Sequence, residues 1–161
     1  MTVAVSDALS VMALNEWPAS APGLVVSKRA KGFHAVLTAS PEAFSAVRAL
    51  TRSVPTRCGG GPSLGETAEL VVSELMGNAV RASTSEASEP VHLIVEVYAT
   101  APGIDVIVHD CVPGQPTRRD VALDSTEAMS GRGLHLLDLL TDHWTVEPSP
   151  LGKQIRCHLT G

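Results

Sequence analysis

Apolar and polar residues change rhythm several times along this chain, and each change marks an element. Between Ser63 and Arg81 the apolar Leu64, Ala68, Val71, Leu75 and Ala79 recur at helical spacing. At about 100° per residue they cover a stripe roughly 80° wide starting at Val71, and Glu74 and Asn78 lie just outside it, at about −60° and −20°. A carboxylate and an amide bordering a buried stripe are costly unless a ligand or partner satisfies them. The pair is therefore the first candidate site. An earlier helix is predicted from Ser40-Pro41-Glu42, a capping serine with a first-turn proline, and it places Ala43, Phe44, Val47, Leu50 and Val54 on one face. Cys58-Gly59-Gly60-Gly61-Pro62 ends it, and Ser63 with Glu66 has the spacing of a capping box for the second helix. That second helix runs out near Ser83 in a polar loop.

Period-two patterns predict strands elsewhere. Val91, Leu93, Val95 and Val97 alternate with His92, Ile94, Glu96 and Tyr98, Ile104–His109 is similarly rich in β-formers, and Pro102-Gly103 supplies a turn between them. These read as two adjacent antiparallel strands. Leu24–Val26 and Phe33–Leu37 flank the Lys28-Arg29-Ala30-Lys31-Gly32 turn region and read as a hairpin or an edge strand. Thr141–Val146 and Gln154–Leu159 make a closing hairpin around Pro148–Gly152. The leucines at 134, 136, 137, 139 and 140 predict a short buried helix. Cys111–Ser130 has no period and reads as a long loop, a length that in compact domains belongs to lids or disordered segments. Residues 1–23 read as a loose tail with at most a short helix over Asp7–Leu14, and residues 24–161 as one domain. The expected fold class is α+β: a two-layer sandwich with helices on one face of a mixed, mainly antiparallel sheet.

Composition narrows the functional classes. With 161 residues and 44% hydrophobic content the chain can close a sizeable core. A net charge of −5 and scattered Lys and Arg residues give no attraction to phosphate backbones, so nucleic acid is not an expected partner. Cys58, Cys111 and Cys157 are odd in number and widely spaced, which fits free thiols in a reducing cytoplasm better than a disulfide framework or a CxxC motif. No signal peptide is legible, and no apolar run reaches the ~20 residues of a membrane helix. The six histidines show no metal-ligand spacing.

Three local signals carry chemistry. An amide oxygen such as that of Asn78 is a hard ligand suited to Mg²⁺, and Glu74 one turn earlier is placed for a base in phosphoryl transfer. Asp110 ends an apolar strand ahead of Pro113-Gly114, where a carboxylate can accept a hydrogen bond from an exocyclic amino group. Gly131-Arg132-Gly133-Leu134 opens a helix, where bare backbone and the helix dipole favour phosphate. Each has a plain structural reading too: a solvated helix face, a turn aspartate and an ordinary helix entry.

In this order, Glu74/Asn78, then Asp110 with Gly114, then Gly131-Arg132-Gly133-Leu134 resemble the N, G1 and G2 boxes of the GHKL ATPases. Glu69–Arg81 and Gly131–Leu140, followed by Trp144 and Gly152-Lys153, are similar to the small stand-alone members, the anti-sigma-factor serine kinases of actinomycete type. The resemblance spans about Pro41 to Leu159. It implies a histidine-kinase-like ATPase fold and an ATP- and Mg²⁺-dependent serine/threonine protein kinase that phosphorylates an anti-anti-sigma STAS protein and sequesters a sigma factor. In it Glu74 is the catalytic base, Asn78 the metal ligand and Asp110 the adenine contact. Gly114, Gly131, Arg132, Gly133 and Leu134 belong to the nucleotide-binding boxes. Homodimers occur in that group. The alternative is a nucleotide-dependent binding module without phosphotransfer. Two departures stand out. Gly77 sits where the small kinases carry a larger residue, and Asp110-Cys111-Val112-Pro113-Gly114 replaces the DxGxG of the wider superfamily.

Overall fold

The computed structural model describes residues 21–83, 89–111 and 134–161. Strands β1 (Leu24–Arg29) and β2 (Gly32–Thr38) form the first hairpin. Helices α1 (Pro41–Arg57) and α2 (Pro62–Ser83) follow, then β3 (His92–Ala99) and β4 (Ile104–Asp110). A third helix, α3, covers residues 134–140, ahead of β5 (His143–Pro148) and β6 (Lys153–Leu159). The strands make one sheet in the order β1-β2-β3-β4-β6-β5, and all five pairings are antiparallel. This is the α+β sandwich expected from the sequence, with β1 and β5 at its edges.

Register decides which side chains face the helices. Ala35, Val95, Val108, Ile155 and Val146 are paired in turn across five strands. With Phe33, Leu37, Leu93, Val97, Val106, Cys157 and Leu159 they cover one face of the sheet. The buried side of α1 (Val47, Leu50, Val54) and of α2 (Ala68, Val71, Leu75, Met76) completes the same cluster. Each Val, Leu, Ile, Phe or Met among them contributes about 1.5–3 kcal/mol on burial, so this interface is the main source of stability. Burial on α2 is wider than the sequence stripe and takes in Val72 and Met76, because α1 packs along that side.

Polar residues organise the other face. Tyr98, Asp105, His158 and His143 are paired in one cross-strand row. His158 Nδ1 lies 2.6 Å from Asp105 Oδ1, and Arg156 Nη1 donates to Tyr98 Oη at 2.7 Å and to Asp105 Oδ2 at 3.2 Å. Burial works against the Arg156 charge, but Tyr98 and Asp105 outweigh it and hold the guanidinium above its usual value. Cys157 on the helix side is pushed up to about 12, first by burial and then by the nearby Asp105 charge.

Local expectations fare unevenly. Ser40 caps α1 as read, its Oγ accepting from the Ala43 N–H at 3.0 Å. Ser63 does not cap α2: the helix starts one residue earlier at Pro62, whose fixed φ suits a first turn, and Glu66 pairs across to Arg52 at 3.1 Å. In α3, Leu134 and Leu137 are buried whereas Leu139 is 80% exposed, since only the i, i+3 positions of so short a helix can face the sheet. The tail, its expected short helix and most of the 111–130 loop lie outside the described residues.

Candidate functional site

Helix α2 lies on β4 and β6, and its polar flank carries the first half of the site. Counting from Val71, Glu74, Asn78, Gly77 and Arg81 fall between about −20° and −120°, beside the buried stripe. Glu74 and Asn78 are both half-buried. One turn apart on one flank, they are held by a helix whose other side is locked into the core.

Arg81, which the sequence reading did not single out, completes this group. Its Nη2 donates to Asn78 Oδ1 at 2.6 Å. A Cβ on Gly77 would stand 3.2 Å from Arg81 Nη1 and 3.6 Å from Nη2. The guanidinium therefore lies over Gly77, and the glycine that costs the helix roughly 0.5–1 kcal/mol leaves it that room. The i, i+3 spacing of Asn78 and Arg81 was the available signal. The amide oxygen of Asn78 is thus engaged by a cation, the Arg81 guanidinium. Among the described residues no group of three His, Cys, Asp or Glu could hold a metal. Mg²⁺ at Asn78 would be held by the amide together with water and phosphate oxygens, its usual preference.

The second half sits at the end of β4. Asp110 is 3% exposed, and its Oδ1 lies 3.3 Å from Lys153 Nζ, both side chains being almost fully covered. Asp110 and Lys153 are register partners, both on the helix side of the sheet. Gly152 makes the approach possible: a Cβ there would stand 2.7 Å from the Asp110 carbonyl oxygen and 2.8 Å from Cys111 C. Lys153 was legible in principle, because the alternation of Ile155, Cys157 and Leu159 extended back by one step puts a lysine at an inward position. The Asp110 carboxylate, whose Oδ1 lies near Lys153, is an acceptor-only group of the kind that takes a hydrogen bond from an amino group.

The remaining candidates divide. Leu134 begins the described part of α3 and its side chain belongs to the core. Gly114, Gly131, Arg132 and Gly133 lie outside the described residues. Trp144 donates its indole N–H to Asp138 Oδ1 at 2.9 Å, which ties β5 to α3. Among the described residues no helix is long and apolar enough to cross a membrane.

Comparison with protein families matches residues 37–159 to the histidine kinase-like ATPase domain. Comparison with curated proteins returns no match. The matched span begins in β2 and ends at the last residue of β6, so it contains both halves of the site.

Proposed function

Since the chain belongs to the histidine kinase-like ATPases, an ATP-binding family, we propose that it is an ATP:protein serine/threonine kinase of the anti-sigma-factor type. The observation that supports this most is the half-buried Glu74/Asn78 pair, one turn apart on the free flank of α2. In this reading Asn78 holds Mg²⁺ through its amide oxygen. Asp110 accepts from the adenine amino group, which favours adenine over guanine at that edge. Gly131, Gly133 and Arg132, with Gly114 before them, approach the phosphates. Mg²⁺ supplies charge neutralisation on the phosphate oxygens when bound. Glu74 takes the proton of an attacking serine hydroxyl while that oxygen bonds to the γ-phosphorus and the bond to the β–γ bridging oxygen breaks, leaving ADP. The acceptor protein is an anti-anti-sigma STAS protein, and the restrained partner is a sigma factor, in the cytoplasm.

A second reading keeps nucleotide binding and drops phosphotransfer. It is favoured by the short Arg81–Asn78 contact, which a metal would have to displace. Incubation with γ-labelled ATP and a STAS-domain protein separates the two. The kinase reading expects label on a serine or threonine of the STAS protein, lost in Glu74→Ala while nucleotide binding persists. Label absent from every acceptor, with nucleotide still bound, would leave the binding module.

A further inference from the structure

The two edges of the sheet end differently. β1 carries Lys28 and Arg29, charges of the kind that blunt an edge against another strand. β5 carries no lysine or arginine, and its Pro148 stands at the last position. Its register against β6 runs unbroken from His143 to Pro148, with no bulge to twist it away. Among the described residues β5 pairs with β6 alone and closes that side of the sheet.

Hydrogen-bond parity fixes which backbone groups face outward. Ser149 and Gly152 continue the β5–β6 register and exchange both of their bonds, at 3.2 and 3.1 Å. Closely bonded pairs recur at every second residue of an antiparallel ladder, so Glu147, Thr145 and His143 turn their backbone to β6, while Val146 and Trp144 turn theirs to the open side. Asp142 gives its N–H to the His158 carbonyl at 2.9 Å, and Pro148 has no N–H to offer.

The side chains of this edge complement their own copy. On the outer face His143, Thr145 and Glu147 are all exposed, and between them Trp144 and Val146 are half-buried against the helix-side core. Two copies run antiparallel about Thr145 set His143 of each against Glu147 of the other, and Trp144 against Val146, with Thr145 facing itself on the axis. Imidazole–carboxylate pairs then lie on one face and aromatic–β-branched pairs on the other, and Trp144 and Val146 exchange N–H···O bonds between copies. Both charged partners are already held: Gln154 donates to Glu147 Oε2 at 2.9 Å, and His143 stacks on His158 with ring centroids 5.1 Å apart. Other registers fit worse. A one-residue slip would set outer against inner side chains. A two-residue slip either puts Pro148 opposite Trp144, losing its bond, or sets Trp144 against itself and parts Glu147 from His143.

We propose that β5 is the docking edge for a second copy of this chain, joining two six-stranded sheets about a two-fold axis at Thr145. So short a ladder buries less than the ~1,200 Å² of a standard interface, and the dimer is correspondingly weak.

Sedimentation velocity of the full chain without nucleotide, from about 5 to 500 μM, tests this. The weight-average mass of the wild type is expected to rise from monomer towards dimer over that range. His143→Glu and Glu147→Lys are each expected to weaken association about tenfold or more, because each puts mismatched charges opposite one another on both sides of the axis. Mixed in equal amounts, the two variants are expected to associate again: the mixed dimer faces the new carboxylate with the new ammonium and keeps the native pair on the other side. Thr145→Lys, at an exposed position, sets like charges together on the axis and is expected to stay monomeric, which carries the test if either partner variant loses the wild-type melting temperature. A wild type that is monomeric throughout, association that survives Thr145→Lys, or a mixture of correctly folded variants no more associated than its components would each overturn the β5 interface.

Discussion

Replacing Lys153 by methionine tests how the end of β4, where the proposed adenine contact Asp110 sits, is held together. Lys153 Nζ sits 3.3 Å from Asp110 Oδ1, with side chains 9% and 5% exposed. Methionine keeps the length and apolar bulk of the stem but removes the charge, so a buried carboxylate loses its cation. Breaking one side of a buried pair costs about 3–5 kcal/mol. Asp110 has further interactions, so about 3 kcal/mol is expected, or roughly 6–12 °C in melting temperature for a chain of this size. The reciprocal change is milder. Asp110→Asn leaves a lysine whose four-carbon stem can carry the ammonium outward, and about 1–2 kcal/mol is expected. The double variant should be more stable than the sum of the two losses implies. Denaturant titration followed by circular dichroism, with the slope checked for constancy, measures all three. The reasoning fails if Lys153→Met stays within about 0.5 kcal/mol of the wild type, or if Asp110→Asn is the more damaging change.

Other expectations follow from single features. Gly77→Ala should stabilise α2 by about 0.5–1 kcal/mol, because the atom its Cβ meets is the flexible end of Arg81. A destabilised variant in urea titration would instead mean the guanidinium cannot move. Cys157, with its thiol pushed up to about 12, should resist iodoacetamide at pH 8 in the folded protein while the exposed Cys58 and Cys111 react, as peptide mass spectrometry would record. The same shift has a stability sign. Above pH 9, the thiol's ordinary value, the unfolded chain ionises Cys157 while the folded chain keeps its proton. This term therefore erodes stability progressively between pH 9 and about 12, and Cys157→Ala should flatten that part of the pH profile. Ser40→Ala should cost about 1 kcal/mol through loss of the α1 cap. Arg52→Ala, which breaks two exposed ion pairs between α1 and α2, should cost under about 1 kcal/mol.

What the sequence could show was local. The helical spacing of α2, the Ser40-Pro41 entry to α1 and the alternation in β3 and β6 each follow from side-chain periodicity, and all four elements stand where that periodicity puts them. The N-terminus of α2 was misread because Ser63 and Glu66 satisfy a spacing rule that Pro62 pre-empts. β4 carries no alternation to read, because Asp105 and Ile107 on the outer face are buried along with Val106 and Val108. A central strand is shielded on both sides, and cross-strand partners such as His158 and Arg156 supply the shield. At the site, Glu74, Asn78 and Asp110 were legible as residue types in order. Their partners left a spacing signal but not the contacts themselves: the Lys153–Asp110 pair depends on strands 43 positions apart in sequence, and the Arg81–Asn78 contact on the space left by Gly77, a packing fact that spacing alone does not carry.

The central claim is that Asn78 is the residue through which this domain takes up magnesium-bound ATP, and calorimetric titration of ATP with Mg²⁺ into the wild type and Asn78→Ala addresses it most directly. The wild type should bind one nucleotide per site, Glu74→Ala should bind it with similar affinity, and Asn78→Ala should show no measurable uptake. Wild-type affinity persisting in Asn78→Ala would contradict the account.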